Sequence, residues 1–173
     1  FLLYRQGNHG EADTHASRAL RIFEMVGARR YVGYARLLRG LVAGAEGRFS
    51  DADDWVTAAR AEFAAVEDAA LVVDCDTVRL AHLLAAGRVD EVLAAAPMVK
   101  RHLGAAEVQV VIDFDRTVGH ARALSGDRSG VDQIRSGLVR ARANRLVYDE
   151  YLCLDTLVVL ADELPAPELA RAR

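Results

Sequence analysis

The sequence predicts an all-α protein made of antiparallel helix pairs that repeat with a period of about 40 residues and stack as a right-handed solenoid. Three observations predict this class. Turn motifs recur at a nearly fixed spacing, the segments that follow them carry the same apolar pattern, and proline is scarce. Only 3 prolines occur in 173 residues, so long uninterrupted helices are compatible with most of the chain.

Four turn motifs define the repeat. Each opens with a glycine followed by polar or acidic residues, and consecutive glycines are separated by about 40 residues. Glycine adopts the left-handed conformation that ends a helix without steric cost. Ser50, Asp90 and Ser129 are placed to cap the helices that follow. The motifs therefore predict that helices end at four glycines: Gly7, Gly47, Gly87 and Gly126.

The helix after each turn carries an apolar stripe with spacings of four and three residues, which keeps one helix face apolar. The first two copies correspond at every position with one constant offset. The third copy contains Pro97, which predicts a kinked or shortened helix, and the fourth copy is more degenerate. The stripes are Ala12, Ala16, Ala19, Phe23 and Val26; Ala52, Val56, Ala59, Phe63 and Val66; Val92, Ala96, Val99 and Leu103; and Val131, Ile134 and Leu138.

Amphipathic helices are also predicted before the turns, over 29–46, 68–86 and 105–125. The run 108–112 favours a strand by propensity alone, but the helical period and the repeat register outweigh it. A last helix near 146–163 has an apolar face formed by Val147, Tyr151, Leu154, Val158 and Ala161. The chain is interpreted as a single domain, 1–173, made of a partial repeat 1–27, repeats 28–67, 68–104 and 105–144, and a terminal helix 145–173.

Composition narrows the functional classes. The net charge is −3 with both signs interspersed, so direct binding to nucleic acid is not expected. No apolar run approaches the length of a membrane span. The two cysteines, Cys75 and Cys153, are predicted to be buried free thiols, which fits a reducing cytoplasm. Because the sequence begins at Phe1 within a helical pattern, we expect a fragment of a longer chain.

Motifs that carry catalytic or metal chemistry are not found in the sequence. It has no phosphate-binding glycine loop, and no histidine has a histidine or cysteine four residues away. The acid pairs Asp74/Asp76 and Asp113/Asp115 are two residues apart, so on a helix the two carboxylates of each pair diverge. We therefore expect no catalytic, cofactor-binding or metal-binding residues and no enzymatic activity in this segment.

One set of positions resembles the tetratricopeptide repeat family. That family has a small residue within the first helix, a glycine at its end and an alanine opening the apolar stripe of the second helix. Gly40, Gly47 and Ala52 follow this order, with Ala59 on the same face. The resemblance implies stacked helix pairs that bind other proteins.

Longer repeats of this type resemble the helical arms of bacterial signalling proteins. These include maltose-activator-type transcription regulators and class III adenylate or guanylate cyclases with an ATPase module. Residues 137–142 and 148–162 resemble the closing repeat of such arms. The resemblance implies a cytoplasmic sensor or protein-interaction module whose parent chain carries any cyclase or ATPase activity elsewhere.

The first helix of each pair is expected to line a concave face, where exposed residues select a partner. Arg36 and Arg39 are three residues apart and are predicted to share that face. The mixed charges of the set favour a protein or peptide partner, while a small-molecule pocket and homodimerisation through Phe1, Leu2 and Leu3 stay open as alternatives. The predicted partner-binding residues are Tyr31, Arg36, Arg39, Asp74, Arg79, His82, Asp113, Arg116 and His120.

Overall fold

The computed structural model describes residues 1–163, with side chains to residue 161. These residues are all-helical without a strand, which confirms the predicted all-α class. The run 108–112 is helical, and the predicted terminal helix is observed as far as Glu163, while 164–173 lie outside the described residues. The helices are α1 (Leu2–Arg5), α2 (His9–Met25), α3 (Arg29–Ala45), α4 (Phe49–Ala65), α5 (Ala69–Ala85), α6 (Val89–Lys100), α7 (Val108–Leu124), α8 (Ser129–Ala143) and α9 (Val147–Glu163), with a 3-10 helix at Leu103–Ala105.

Consecutive helices pack as neighbouring pairs within two compact units. The first unit is Phe1–Gly87, and the second begins at Arg88. In the first unit α3 packs between α2 and α4, α5 packs against α4, and α1 touches α2. In the second unit α6 packs against α7, α7 against α8, and α9 against both α7 and α8. Within each unit the connections between helices are short, so successive helices of that unit run antiparallel.

The turns of the first unit share one backbone conformation. In the turn after α3, the Arg48 N–H donates to the Ala43 carbonyl at 2.9 Å, and after α4 the Asp68 N–H donates to the Phe63 carbonyl at 3.0 Å. Such bonds satisfy carbonyls that a helix end would leave unpaired. The four predicted glycines all have positive φ, and the structure adds turns that the sequence did not reveal. The left-handed residues are Gly7, Gly27, Gly47, Glu67 and Gly87 in the first unit, and Gly126 and Arg145 in the second.

The predicted helix caps Ser50, Asp90 and Ser129 are wrong, because these helices begin earlier than expected. All three residues lie inside the first turn of a helix, one residue or more past the cap position. The Ser129 N–H itself donates to the Asp127 carboxylate at 3.0 Å. In α4 the preceding Arg48 instead donates a hydrogen bond to Asp51 at 2.7 Å, which brings an acid to the positive end of the helix dipole. The residues that precede α4, α6 and α8 are Arg48, Arg88 and Arg128.

The core of the first unit lies along α3 and α4. Phe63 is fully buried, and its ring lies so close to Gly33 that a Cβ there would approach it to 2.6 Å. At Gly40 a Cβ would come within 2.6 Å of Val56 and 3.3 Å of the Ala52 carbonyl. These two glycines therefore allow the close approach of α3 and α4.

The second unit repeats this close packing between α7 and α8. A Cβ on Gly119 would meet the Gly130 carbonyl at 2.6 Å and the Ile134 side chain at 2.7 Å. Helix α9 contributes the buried residues Cys153 and Leu160 to the same core. Pro97 lies within α6, which at 12 residues is shorter than the 17-residue α2 and α4, as the sequence predicted.

The predicted apolar stripes are correct in the middle of the helices and wrong at two ends. Ala52, Val56, Ala59 and Phe63 are fully buried. Val66 and its counterpart Val26 are exposed, because the chain has already left the helix at these positions. The largest departure concerns α9, whose predicted apolar face is mostly exposed and is described below.

Candidate functional site

The nine predicted partner-binding residues belong to helices α3, α5 and α7, as expected. Most of them do not face solvent freely. Tyr31 and Arg79 are exposed, whereas the other seven are half-buried. Most of the set is therefore less exposed than expected of a polar groove, because neighbouring helices approach these side chains.

Arg36 and Arg39 form ion pairs with the helices on either side of α3. Arg36 donates to Glu62 on α4 at 2.8 Å and to Glu24 on α2 at 3.1 Å. Arg39 donates to Asp13 on α2 at 2.8 Å, and its guanidinium lies 4.0 Å from the ring centroid of Trp55 on α4. Both arginines join α3 to its two neighbours, so their positive charges are already satisfied within the chain.

The ion pair between Arg39 and Asp13 has a counterpart 40 residues later in the sequence. Arg79 on α5 donates to Asp53 on α4 at 2.6 Å. The two pairs join equivalent positions of consecutive helix pairs. Arg79 and Asp53 are both largely exposed, so this second pair contributes little stability on its own.

His82 lies beside this pair and is half-buried against α3. A Cβ on Gly44 would collide with the imidazole ring, and the buried Nδ1 atom has no hydrogen-bond partner among the described residues. Burial lowers the pKa of His82 below its ordinary value, while the Asp53 carboxylate acts in the opposite direction. His82 is therefore a neutral packing residue at neutral pH.

The remaining predicted residues also have contacts within the chain. Arg116 donates to Asp113 at 3.1 Å within α7. Asp74 and His120 both have interaction partners, and the ring of Tyr31 lies 5.2 Å from that of Phe23. Whether any of the nine residues binds a partner stays a prediction, since the structure shows only their contacts within the chain.

A polar network between α7 and α8 lies close to these residues. Gln133 donates to Asp115 at 3.2 Å and accepts a hydrogen bond from Arg122 at 2.9 Å, while Arg140 approaches the other Asp115 oxygen at 3.5 Å. Burial raises the pKa of Asp115, and the Gln133 and Arg140 contacts partly offset that rise. The network holds α8 against α7.

The two thiols are buried, as predicted. Burial raises the pKa of Cys75 above its ordinary value, with the adjacent Asp74 and Asp76 acting in the same direction. Burial also raises the pKa of Cys153, to about 11. Neither cysteine is a thiolate at neutral pH, so neither has the character of a nucleophile.

Helix α9 exposes a stripe of apolar side chains along one side. This is the side that the sequence pattern predicts as the apolar face of the helix. Its members are between 40% and 77% exposed. Their spacings of 4, 3 and 4 residues keep them on one side of the helix over a length of about 16 Å. The core is contacted instead by the opposite side, which carries Cys153, Thr156 and Leu160. We call the exposed side the α9 stripe: Val147, Tyr151, Leu154 and Val158.

Comparison with helices of equal length shows which face of α9 carries the stripe. Helices α3, α5, α7 and α9 each have 17 residues. The twelfth residue is Gly40 in α3 and Gly119 in α7, and both face the helix that follows. In α9 the twelfth residue is Val158, which is exposed. The α9 stripe thus occupies the face that α3 and α7 use to hold their following helices.

The eighth residue of these helices shows the same correspondence. In α3 and α7 this residue pairs with the following helix, Arg36 with α4 and Asp115 with α8. In α5 the eighth residue, Asp76, pairs instead with Arg60 of the preceding helix α4 at 2.7 Å. In α9 the eighth residue is Leu154. The position that carries an interhelical ion pair in three helices is therefore apolar and exposed in the fourth.

Comparison with known proteins and a search for metal sites and membrane spans do not identify a function. The chain matched no protein-family model, no curated protein and no solved structure. Across residues 1–163, no three His, Cys, Asp or Glu side chains are grouped so that they would hold a metal ion. None of the described helices is long and apolar enough to cross a membrane. The class that the geometry itself defines is a helical protein of paired, closely packed helices with an open apolar helix face.

Proposed function

We propose that the chain is a helical-repeat array with a period of about 40 residues in its first unit, built on the pattern of a tetratricopeptide-like right-handed solenoid. Left-handed turn residues at equal intervals from Gly7 to Gly87 support this period. The two ion pairs Asp13–Arg39 and Asp53–Arg79 support it independently, since tertiary contacts recur at the same offset as the sequence. Repeats of this kind hold one another through nearest-neighbour interfaces.

We further propose that the chain is a non-catalytic protein-interaction module whose docking surface is the α9 stripe. The observation that carries this proposal is the exposure of a face that α3 and α7 bury against a following helix. A regular apolar helix face of this kind fits the helix-in-groove and helix-on-helix modes of protein recognition. The occupant it fits is therefore a helix.

The resemblance to the arms of bacterial signalling proteins gives this module a proposed setting. There the partner's binding would be relayed to a catalytic or DNA-binding part of a larger assembly. The ion-paired arginines of α3 then have a structural role, because they join α3 to α2 and α4. The nine predicted groove residues remain a secondary candidate surface.

Photo-crosslinking tests the docking proposal directly. A photoreactive benzoylphenylalanine is placed at Leu154, and the matched control carries it at Val139, an apolar residue of α8 that is 66% exposed. Each purified chain is irradiated in an extract of its source cells, with and without excess unmodified chain. Covalent products are identified by mass spectrometry.

The proposal expects one defined protein product at position 154 that the unmodified chain competes away, and little or no product at position 139. Equal labelling at the two positions, or no product at position 154, would contradict a docking role for the stripe. Far-UV circular dichroism of both chains establishes that the unnatural side chain leaves the helices intact.

A further inference from the structure

His82 forms part of the contact between α3 and the last turn of α5. A Cβ at Gly44 would collide with the imidazole ring of His82, at its Nε2 and Cδ2 atoms. The absence of a side chain at Gly44 therefore lets the ring lie directly on the backbone of α3. Because α3 and α5 are not consecutive in sequence, this ring helps to hold the end of α5 in place within the first unit.

The surroundings of the two ring nitrogens suit a neutral histidine. Nδ1 is buried and has no hydrogen-bond partner among the described residues, and Nε2 lies against Gly44. A neutral imidazole carries one N–H donor, whereas the protonated ring carries a donor on both nitrogens and a positive charge. In this position the charged ring would have a buried donor at Nδ1 without an acceptor. Protonation therefore favours a ring that has left its contact with Gly44.

A carboxylate on α4 is available to a displaced ring. Among the described residues, Asp53 is the charged group that acts on His82. Its Oδ1 atom accepts a hydrogen bond at 2.6 Å from Arg79, which lies one turn before His82 on α5. Both side chains of this pair are half-exposed, so the pair rearranges at little cost in free energy. Helix α3 brings no charge to the contact, because its residue there is Gly44.

We propose that His82 forms a pH-sensitive contact between α3 and α5. The neutral ring packs on Gly44 and holds the end of α5 against α3, whereas the protonated ring moves to the Asp53 carboxylate and releases that end of the helix. The proton comes from solvent and binds a ring nitrogen, so no other reactant is needed. A positive charge near the last turn of α5 is also favoured by the helix dipole. This inference does not depend on the proposed docking surface.

The direction of the pH effect follows from burial. Burial lowers the pKa of His82 in the packed position, whereas a ring exposed beside a carboxylate has a higher pKa than the packed ring. The displaced state therefore binds the proton more tightly than the packed state. Its population should rise by up to about tenfold for each pH unit that the pH falls below the pKa of the displaced ring, until the packed ring also takes up a proton.

Hydrogen–deuterium exchange of the whole chain at about pH 7.5 and about pH 5 tests this contact, with labelling times scaled to the intrinsic exchange rate at each pH. Peptides from the last turns of α5 are compared with peptides from α2, which belongs to the same unit. His82→Leu keeps an apolar side chain against Gly44 but cannot bind a proton. His102→Gln, at an exposed histidine, is the matched control.

At the lower pH, the α5 peptides of wild type and His102→Gln should exchange at least about fivefold faster, while the α2 peptides keep their protection. His82→Leu should show no such difference. Equal protection of wild-type α5 at both pH values would overturn the proposal. The same loss of protection in His82→Leu, or an equal loss in α2, would also overturn it.

Two further variants test the role of Asp53 and keep the proposal testable if His82→Leu weakens the unit. Asp53→Asn removes the carboxylate and should lower the pH midpoint at which the His82 Cε1–H resonance titrates in NMR. Arg79→Gln frees Asp53 and should raise that midpoint. Both substitutions replace half-exposed side chains, and circular dichroism at about pH 7.5 establishes that the helices are retained. Midpoints equal to that of wild type in both variants would overturn the transfer of His82 to Asp53.

Discussion

Replacing Glu67 by glycine should stabilise the first unit. Glu67 is exposed and ends α4 with φ at +55°, at the turn position that glycine occupies after α1, α2, α3 and α5. The left-handed conformation brings the Cβ of an L-residue too close to the following carbonyl oxygen. The substitution Glu67→Gly removes this Cβ and keeps the backbone hydrogen bonds of the turn.

The magnitude follows from two opposing contributions. Left-handed backbone costs an L-residue about 1–2 kcal/mol, and glycine removes most of that cost. Glycine also gives the unfolded chain more conformational freedom, which costs about 0.5–1 kcal/mol of stability. The difference predicts that the free energy of unfolding rises by about 0.5–1 kcal/mol.

The matched control is Gly47→Ala in the preceding turn. Gly47 has φ at +75°, and no atom lies within 4 Å of the position its Cβ would take, so the added methyl group introduces strain without a clash. It should lower the free energy of unfolding by about 1 kcal/mol. Urea unfolding followed by far-UV circular dichroism measures both changes at constant m-value. A Glu67→Gly chain that is less stable than wild type would refute this account of the turn.

Three further predictions follow from packing and burial. Gly40→Val should destabilise the first unit by at least about 2 kcal/mol in urea unfolding, because its side chain would overlap α4; an unchanged midpoint would contradict the close approach. The lowered pKa of His82 means that only the unfolded state gains the proton near the ordinary value of 6.5, so stability should fall as the pH drops below about 6.5. His82→Leu should reduce this fall, exposed His102→Gln should not, and equal pH profiles for the three chains would show that His82 does not contribute. Cys75 and Cys153 should react with a thiol reagent at least about 100-fold more slowly in the native state than in denaturant; fast native labelling would show that the thiols are accessible.

Several features of the fold are local, and the sequence predicts them well. A glycine at a helix end indicates a left-handed backbone conformation, as observed at Gly47 and Gly87. The stripe from Ala52 to Phe63 identifies a buried face because residues three and four apart share one side of a helix. Glu67 and Arg145 show the limit of this approach. They adopt the glycine conformation without being glycine, so no residue type indicates these turns.

The contacts of the candidate site residues could not be predicted from the sequence. Arg36 and Arg39 have the composition of a polar groove, yet their partners on α2 and α4 lie 12 to 26 residues away in sequence. Such pairings depend on how neighbouring helices approach.

The sequence by itself determined that the chain is helical, where most helices end and which residue types are available on each face. Only the tertiary structure decided which face of α9 is buried. Apolar residues lie on both sides of that helix, with Cys153 and Leu160 on one and Leu154 and Val158 on the other. The apolar pattern is a property of a single helix. It indicates how much free energy each face would gain if it were buried away from water. Which face is buried depends on where α7 and α8 lie. That arrangement is set by close packing between helices and not by the sequence pattern within one helix.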